Sequence, residues 1–403
     1  MAGKKLNPDI SSDQTDWRTI VALNVTSTLS QLGQFGIGIV VLPLWLAEHG
    51  LNATQLGVFA SSEWLGMFIG LAFTPQLNLR FGHRIVIAIG LIITIVGFGI
   101  ILVSTWPVWL SSGLLIGLGM GLRWIGLEPW LYRILPSNAR GRLVGFHETL
   151  MGIAPIVAPM LTAWIGISGK APIYLGITFC SLALLPLMLA KFVPASKTES
   201  LEITDPIQTA SNDAVLSLGV AIAVIGGITE ASFSGLFPIF GAGRNLSANE
   251  MATLLSLFGL GGILLQYLTG WLADHRGLRF ATLVCAISTA FFSAIASLPL
   301  GFLGLSITIF ALGGTITAYL TLSIISATSA GDGDLSIKMR QVSMAYTASS
   351  IFGPILAGTI MKNLTSDALI WQVGLLAMIL SIYLITKGRV IHKLRMHLMS
   401  QPS

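Results

Sequence analysis

Long apolar runs are the feature of this sequence that most restricts its fold. Twelve of them come close to or exceed the roughly 20 residues that a helix needs to cross the hydrocarbon of a bilayer. Only 10% of the residues are charged, whereas soluble domains carry about a quarter. We therefore predict an all-α polytopic membrane protein and exclude a water-soluble enzyme. The runs cover about residues 19–46, 54–77, 84–104, 108–135, 143–167, 171–191, 214–241, 250–272, 279–298, 301–327, 341–362 and 368–387.

The positions of lysine and arginine predict the orientation of these spans. With the N-terminus inside, 18 of the 22 basic residues fall in inner segments, 3 in outer loops and 1 within a span. Cytoplasmic loops carry such an excess of basic residues. We therefore expect a protein of the cytoplasmic (inner) membrane with both termini in the cytoplasm. The net charge of +5 has this explanation and gives no reason to expect nucleic-acid binding.

The two halves of the chain resemble each other. At a shift of 195 residues, VLPLWLAEHGLNATQL (41–56) aligns with LFPIFGAGRNLSANEM (236–251). Parallel repeats of this kind are typical of transporters that bind substrate near the midplane between the repeats. We expect two pseudo-symmetric six-helix bundles, at 1–191 and 214–403, joined by a cytoplasmic linker at 192–213.

Short motifs at the predicted inner ends of the spans carry a resemblance to a known family. GWLADHRGLR (270–279) resembles the cytoplasmic signature of the major facilitator superfamily, and PQLNLRFGHR (75–84) keeps part of it. RGR at 140–142, APIVAP at 154–159 and GPILAG at 353–358 are also similar to segments of that family. The resemblance implies alternating access of a central cavity to the two sides of the membrane.

The same resemblance implies roles for individual residues. Basic residues and the positive N-terminal end of span five would attract the carboxylate of Asp274. These contacts would form only when the inner side is closed. The implied cytoplasmic gate consists of Asp274, Gly277, Arg279, Arg80, Gly82, Arg84, Arg140 and Arg142. The implied hinge or helix-interface residues are Pro155, Gly353 and Pro354.

Ionisable residues within spans are costly in a membrane and are therefore candidates for function. Glu230 and Arg123 lie near the middle of spans seven and four, and we expect them to pair across the cavity in one conformation. Glu63 and Glu128 are further candidates for binding protons or substrate. Glu148 lies roughly 10 Å from the inner edge by helical rise, and we expect its side chain to reach water or a loop residue.

A stripe of side chains at helical spacing runs along one face of span one. Its last member aligns with Glu230 at the shift of 195 residues, so we expect both faces to border the cavity. The predicted cavity-lining residues are Asn24, Thr28, Gln31, Phe35 and Phe233.

These features together predict a secondary active transporter for a small molecule. The excess of buried acids favours a cationic or amphipathic substrate exported in exchange for protons. Symport of a metabolite with protons is an alternative, as is a transport-inactive receptor or scaffold. No phosphate-binding Gly-x4-Gly-Lys-Ser/Thr loop is present, and the two cysteines suggest neither a disulfide framework nor a metal site. We expect a monomer without cofactor or metal, which binds substrate, protons and lipid.

Overall fold

The computed structural model describes residues 16–136, 139–191, 214–330 and 335–399, and every regular element within these ranges is a helix. Twelve of the helices are long and apolar enough to cross a membrane. The prediction of an all-α fold with twelve spans is therefore confirmed. The helices are α1 (Trp17–Glu48), α2 (Ala53–Phe81), α3 (His83–Val103), α4 (Trp109–Ile134), α5 (Arg140–Ile165), α6 (Ala171–Leu189), α7 (Ala214–Gly243), α8 (Ala248–Arg276), α9 (Leu278–Ala296), α10 (Phe302–Ser329), α11 (Leu335–Asn363) and α12 (Ala368–Met399).

Helix ends depend on local signals that apolarity does not contain. α2 and α8 begin with capping boxes, formed by Asn52 with Gln55 and by Ser247 with Glu250. Both continue about one turn beyond their apolar runs, because backbone hydrogen bonding does not stop where the hydrocarbon ends. They end at Gly82 and Gly277, whose φ angles of 81° and 86° favour glycine. These two members of the predicted gate therefore have a direct structural function.

The helices form two groups of six with matching internal contacts. In the first group α2 and α3 pack against α4, and α1 packs against α6; in the second, α8 and α9 pack against α10, and α7 against α12. Between the groups, α2 packs against α11 and α5 against α8. Because α2 corresponds to α8 and α5 to α11, the two seams are equivalent. This is the relation expected for two parallel repeats. The linker at 192–213 lies outside the described residues.

Glycine allows the closest of these crossings. A Cβ atom on Gly117 would lie 1.8 Å from the backbone oxygen of Glu63, and one on Gly313 would lie 2.0 Å from that of Phe258. Small residues allow membrane helices to approach this closely. The first contact joins α2 to α4 and the second joins α8 to α10, so both groups use the same packing.

The first span departs from regular α-helical geometry. α1 is α-helical at Trp17–Gln31, π-helical at Leu32–Val41 and α-helical again at Leu42–Glu48. A π-helical turn contains more residues than an α-helical turn and changes which side chains share a face. The stretch lies where α1 contacts α5 and α6.

Both seams are closed towards one face of the molecule, and the α5–α8 seam is open towards the other face. We call the face where α1 begins and α2 ends the inner face, and the opposite one the outer face. Towards the outer face, the Ser256 hydroxyl donates to the Ile156 carbonyl at 2.9 Å, and a Cβ on Gly57 would lie 2.3 Å from the Pro354 oxygen. Towards the inner face, Cβ atoms on Gly145 of α5 and Gly270 of α8 would meet nothing within 4 Å, and Arg140, Glu148 and Asp274 are exposed. No hydrogen bond or ion pair joins the described inner ends of the two helices. We call the open space beside these exposed ends the cleft.

Candidate substrate and coupling site

Arg123 is the most deeply buried charged side chain on α4, with 1% of its surface exposed. Its Nε donates to Gln34 Oε1 at 3.0 Å, and its Nη2 donates to Gln31 Oε1. Gln34 in turn donates to the Thr94 hydroxyl at 2.7 Å. The guanidinium is therefore held by neutral amides of α1. Gln31 belongs to the predicted polar stripe, whereas the sequence analysis missed Gln34, although its spacing of three from Gln31 places it near the same face.

Glu230 lies half-buried on α7, in the second group. Its carboxylate accepts a hydrogen bond from the Tyr346 hydroxyl of α11, and no basic side chain contacts it among the described residues. No pattern in the sequence predicts a role for Tyr346. The expected pairing of Glu230 with Arg123 is not made in this conformation, since each has partners within its own group. It stays a prediction for another conformation.

The side chains near the Glu230–Tyr346 pair form an aromatic and apolar cluster across the two groups. Trp64 and Met120 of the first group belong to it together with Tyr346 of the second, and Phe35 and Trp124 pack against it. Phe35 therefore lies beside the junction of the two groups. The cluster provides an apolar wall next to an ionisable pair.

Glu63 occupies a different environment, between α2 and α4. Only 1% of its surface is exposed, and its Oε1 has no hydrogen-bond partner. Its Cγ would lie 3.3 Å from a Cβ on Gly113. The structure therefore places Glu63 within the packing of the first group, apart from Glu230.

Glu128 and Glu148 occupy the inner half of the first group. Glu128 is half-buried and has a side-chain hydrogen bond with Trp124, one turn earlier on α4. Glu148 is exposed on α5, and the Tyr132 hydroxyl of α4 donates to it. Glu148 is thus exposed, in agreement with the expectation that it reaches water, and its hydrogen-bond partner is a tyrosine of a neighbouring span and not a loop residue.

The remaining predicted cavity residues are mostly buried in helix packing in this conformation. Asn24 is 9% exposed, and its Oδ1 lies 3.0 Å from His147 Nδ1 on α5. Thr28 donates to the Asn24 carbonyl at 2.9 Å. Phe233 is fully buried and stacks on Phe258 with ring centroids 4.4 Å apart. Thr28 is the half-buried member of this set.

The predicted gate residues divide into two kinds. Asp274, Arg140 and Arg142 are exposed at the inner ends of α8 and α5, without ion pairs among the described residues. By contrast, Arg84 donates to the Met188 carbonyl at 3.0 Å, at the end of α6, and Arg279 donates to the Leu384 carbonyl of α12. The two arginines therefore bind the inner ends of the last membrane spans of their own groups in equivalent ways. Arg80 stacks over the Phe81 ring at 5.1 Å.

Of the three predicted hinge residues, Pro155 and Pro354 lie at the seams, and Gly353 packs within the second group. A Cβ on Gly259 would lie 3.0 Å from the Pro155 backbone, in the α5–α8 seam. Pro354 contacts Gly57 in the α2–α11 seam, and a Cβ on Gly353 would lie 2.6 Å from the Ile228 oxygen of α7. No cluster of three or more His, Cys, Asp or Glu side chains suited to a metal occurs in the described ranges.

Two matching helical groups that meet along two seams, with ionisable side chains at their junction, define a membrane transport protein of the two-repeat class. Residues 23–336 match the family model for the Major Facilitator Superfamily. The chain therefore belongs to the Major Facilitator Superfamily, and its class is that of a multi-pass transporter and not an enzyme.

Relatives agree with this assignment. The chain is 25% identical over 360 residues to an uncharacterized MFS-type transporter of Enterobacter sp. (strain 638), covering 86% of this chain and 90% of the relative. It is 26% identical over 346 residues to the uncharacterized MFS-type transporter YcaD of Salmonella typhi, covering 82% and 85%.

Solved structures share the fold. The crystal structure of the nucleoside transporter NupG superimposes with a TM-score of 0.75 at 13% identity, covering 91% of this chain and 98% of that one. The D-xylose-proton symporter does so with a TM-score of 0.72 at 15% identity, covering 92% and 97%. At these identities the likeness concerns the fold alone.

Proposed function

We propose that this protein is a proton-coupled secondary transporter of the cytoplasmic membrane, in which Glu230 binds the coupling proton. The observation that supports this is the half-buried Glu230 carboxylate, whose partner among the described residues is the neutral Tyr346 hydroxyl. A carboxyl group whose access to water changes between two conformations can bind a proton in one and release it in the other.

Export of a cationic or amphipathic molecule in exchange for protons agrees best with the surroundings of this site. Trp124, Tyr346 and Phe35 supply aromatic surface, which attracts organic cations as well as apolar groups. Glu230 and Glu128 supply two carboxylates near this surface, so a cation could replace the proton on either.

A second candidate, proton symport of a polar or anionic molecule, is favoured by one observation. Within the described residues, the Arg123 guanidinium donates hydrogen bonds only to the side-chain amides of Gln31 and Gln34. Its charge is therefore not neutralised by a direct partner and could bind an anionic or electron-rich group of a substrate.

The test uses protein reconstituted in liposomes with an imposed pH gradient, and a trapped pH-sensitive dye reports proton movement. Organic cations, nucleosides and pentoses are added in turn to find a compound that moves protons. The Glu230→Gln variant should then lose proton-driven accumulation of that compound while still binding it. The control is Glu48→Gln, which makes the same change at an exposed outer position. A Glu230→Gln variant that accumulates the compound as well as the parent does would show that another group carries the proton.

A further inference from the structure

One face of α5 makes the seam with α8. Gly152, Pro155 and Ile156 lie on this face and contact α8: a Cβ on Gly152 would lie 2.8 Å from the Ile263 side chain, and Ile156 accepts the hydrogen bond from Ser256. Glu148 lies one turn before Gly152 on the same face. It therefore points into the cleft, directly beyond the last contact of the closed part of the seam.

The facing surface of α8 continues in the same manner. Residues at spacings of four, seven and eleven from Ile263 share its face, and because the two helices run in opposite directions, each finds a counterpart on α5. If the seam closes in its present register, the pairs are Tyr267 with Glu148, Gly270 with Gly145, and Asp274 with Gly141, which is the neighbour of Arg140.

The two glycines in this series support the register. Cβ atoms built on Gly145 and on Gly270 would meet nothing within 4 Å, so neither position needs a glycine for packing in this conformation. In the closed part of the same seam, by contrast, a Cβ on either Gly152 or Gly259 would meet the opposite helix, and at Gly259 it would meet the backbone. Glycines at the open end thus fit a second conformation in which the inner halves of α5 and α8 approach closely.

Closure in this register would cover Glu148. The groups that would surround its carboxylate are the Tyr132 hydroxyl, which already donates to it, and Tyr267. Neither is a cation, and Glu128 nearby adds a second negative charge. A charged carboxylate buried without a cationic partner is strongly unfavourable, so the closed seam favours a neutral Glu148.

The other titratable groups around Glu148 do not supply the missing charge. His147 is buried on the opposite side of α5, with its Nδ1 at Asn24. Arg142 is six residues away and on a different face of α5. Arg123, deeper on α4, is bound by Gln31 and Gln34. Each of these groups already has another partner or points elsewhere. Arg133, which follows Tyr132 on α4, has an interaction of its own, and Arg140 is about 12 Å from Glu148 along α5 by helical rise.

We propose that Glu148 is a second ionisable site of this transporter, which must take up a proton from the inner side before the inner ends of α5 and α8 close. The proton binds a carboxylate oxygen of Glu148 from water in the open cleft and leaves by the same route when the cleft reopens. This site rests on the alternating access of the proposed function but is separate from Glu230. Glu148 makes closure respond to the pH on the inner side, whereas Glu230 carries the proton that drives transport.

The experiment measures the distance between spin labels on Phe81→Cys and Arg276→Cys, at the inner ends of α2 and α8, in lipid nanodiscs from about pH 5 to about pH 8.5. The native Cys180 and Cys285 are 0% and 4% exposed and react little. For the parent, the ratio of closed to open molecules should rise as the pH falls, by at least about tenfold over the range, because one linked proton changes the ratio up to tenfold per pH unit.

Variants in this labelled background assign the proton. Glu148→Gln should give a high and pH-independent closed fraction, while Glu148→Asp, a test of folding and of the carboxylate, should restore the pH dependence. Glu48→Gln should follow the parent. A parental pH curve in Glu148→Gln would overturn the proposal, as would a curve that only Glu230→Gln flattens. Loss of proton-driven accumulation in Glu230→Gln is measured separately in liposomes, so the two proposals can fail independently.

Discussion

Replacement of Gly270 by leucine is expected to hold the protein open at its inner face. In the present conformation a Cβ at this position meets nothing within 4 Å, so the new side chain has room. When the inner halves of α5 and α8 close, Gly270 faces Gly145, and the leucine must then fit between two helix backbones. The substitution therefore disfavours one conformation and leaves the other unchanged.

The size of the effect follows from the packing. Inserting extra side-chain volume into a close contact costs about 1–3 kcal/mol, which lowers the ratio of closed to open molecules by about 5- to 150-fold. Folding should not suffer, because leucine is a better helix former than glycine. We therefore expect a thermal midpoint equal to or above that of the parent, together with a strongly reduced rate of transport.

The same labels at positions 81 and 276 measure the closed fraction. The matched control is Gly259→Leu, the same change on the same helix but in the closed part of the seam, where a Cβ would lie 3.0 Å from the Pro155 backbone. This variant should shift molecules in the opposite direction, towards inner closure. If both variants shift the distances in the same direction, or if Gly270→Leu closes normally, the register of the seam is wrong.

Two further predictions concern single polar contacts. Asp274→Asn should lower the closed fraction measured with the same labels, since it removes a charge that lies beside Arg140 in the closed seam; an unchanged distance distribution would argue against that contact. Gln34→Leu should lower the thermal stability of the protein in detergent by about 1–3 kcal/mol, because it leaves the Nε of buried Arg123 without its acceptor, and a melting curve identical to that of the parent would contradict this.

The number and type of the helices could be predicted because apolar length alone decides which segments cross a membrane. The repeat could be predicted as well, since both copies keep the segment around Pro43 and Pro238 at a constant shift. Helix ends were less accessible: α2 and α8 extend until Gly82 and Gly277 change the backbone direction, and hydropathy does not contain that signal.

The candidate site could be predicted only in part. A buried charge is visible in the sequence, so Arg123 and Glu230 could be selected, but their partners come from other helices. Tyr346 is more than a hundred residues from Glu230, and nothing local marks it as a hydrogen-bond donor. Gln34, by contrast, lies three residues after Gln31, a spacing that places it near the same face, so its contact with Arg123 could have been predicted from the sequence.

The glycines of the α5–α8 seam also bear on how much energy a substrate must supply. Opening the outer end breaks one set of close helix contacts, and closing the inner end makes another set of the same kind. The free-energy difference between the two conformations is then set by the mismatch between two similar surfaces, not by the whole strength of either. A preference of about 5.5 kcal/mol in binding is enough to reverse a 99:1 population, so with such a balance a small ligand with few contacts can drive the whole cycle.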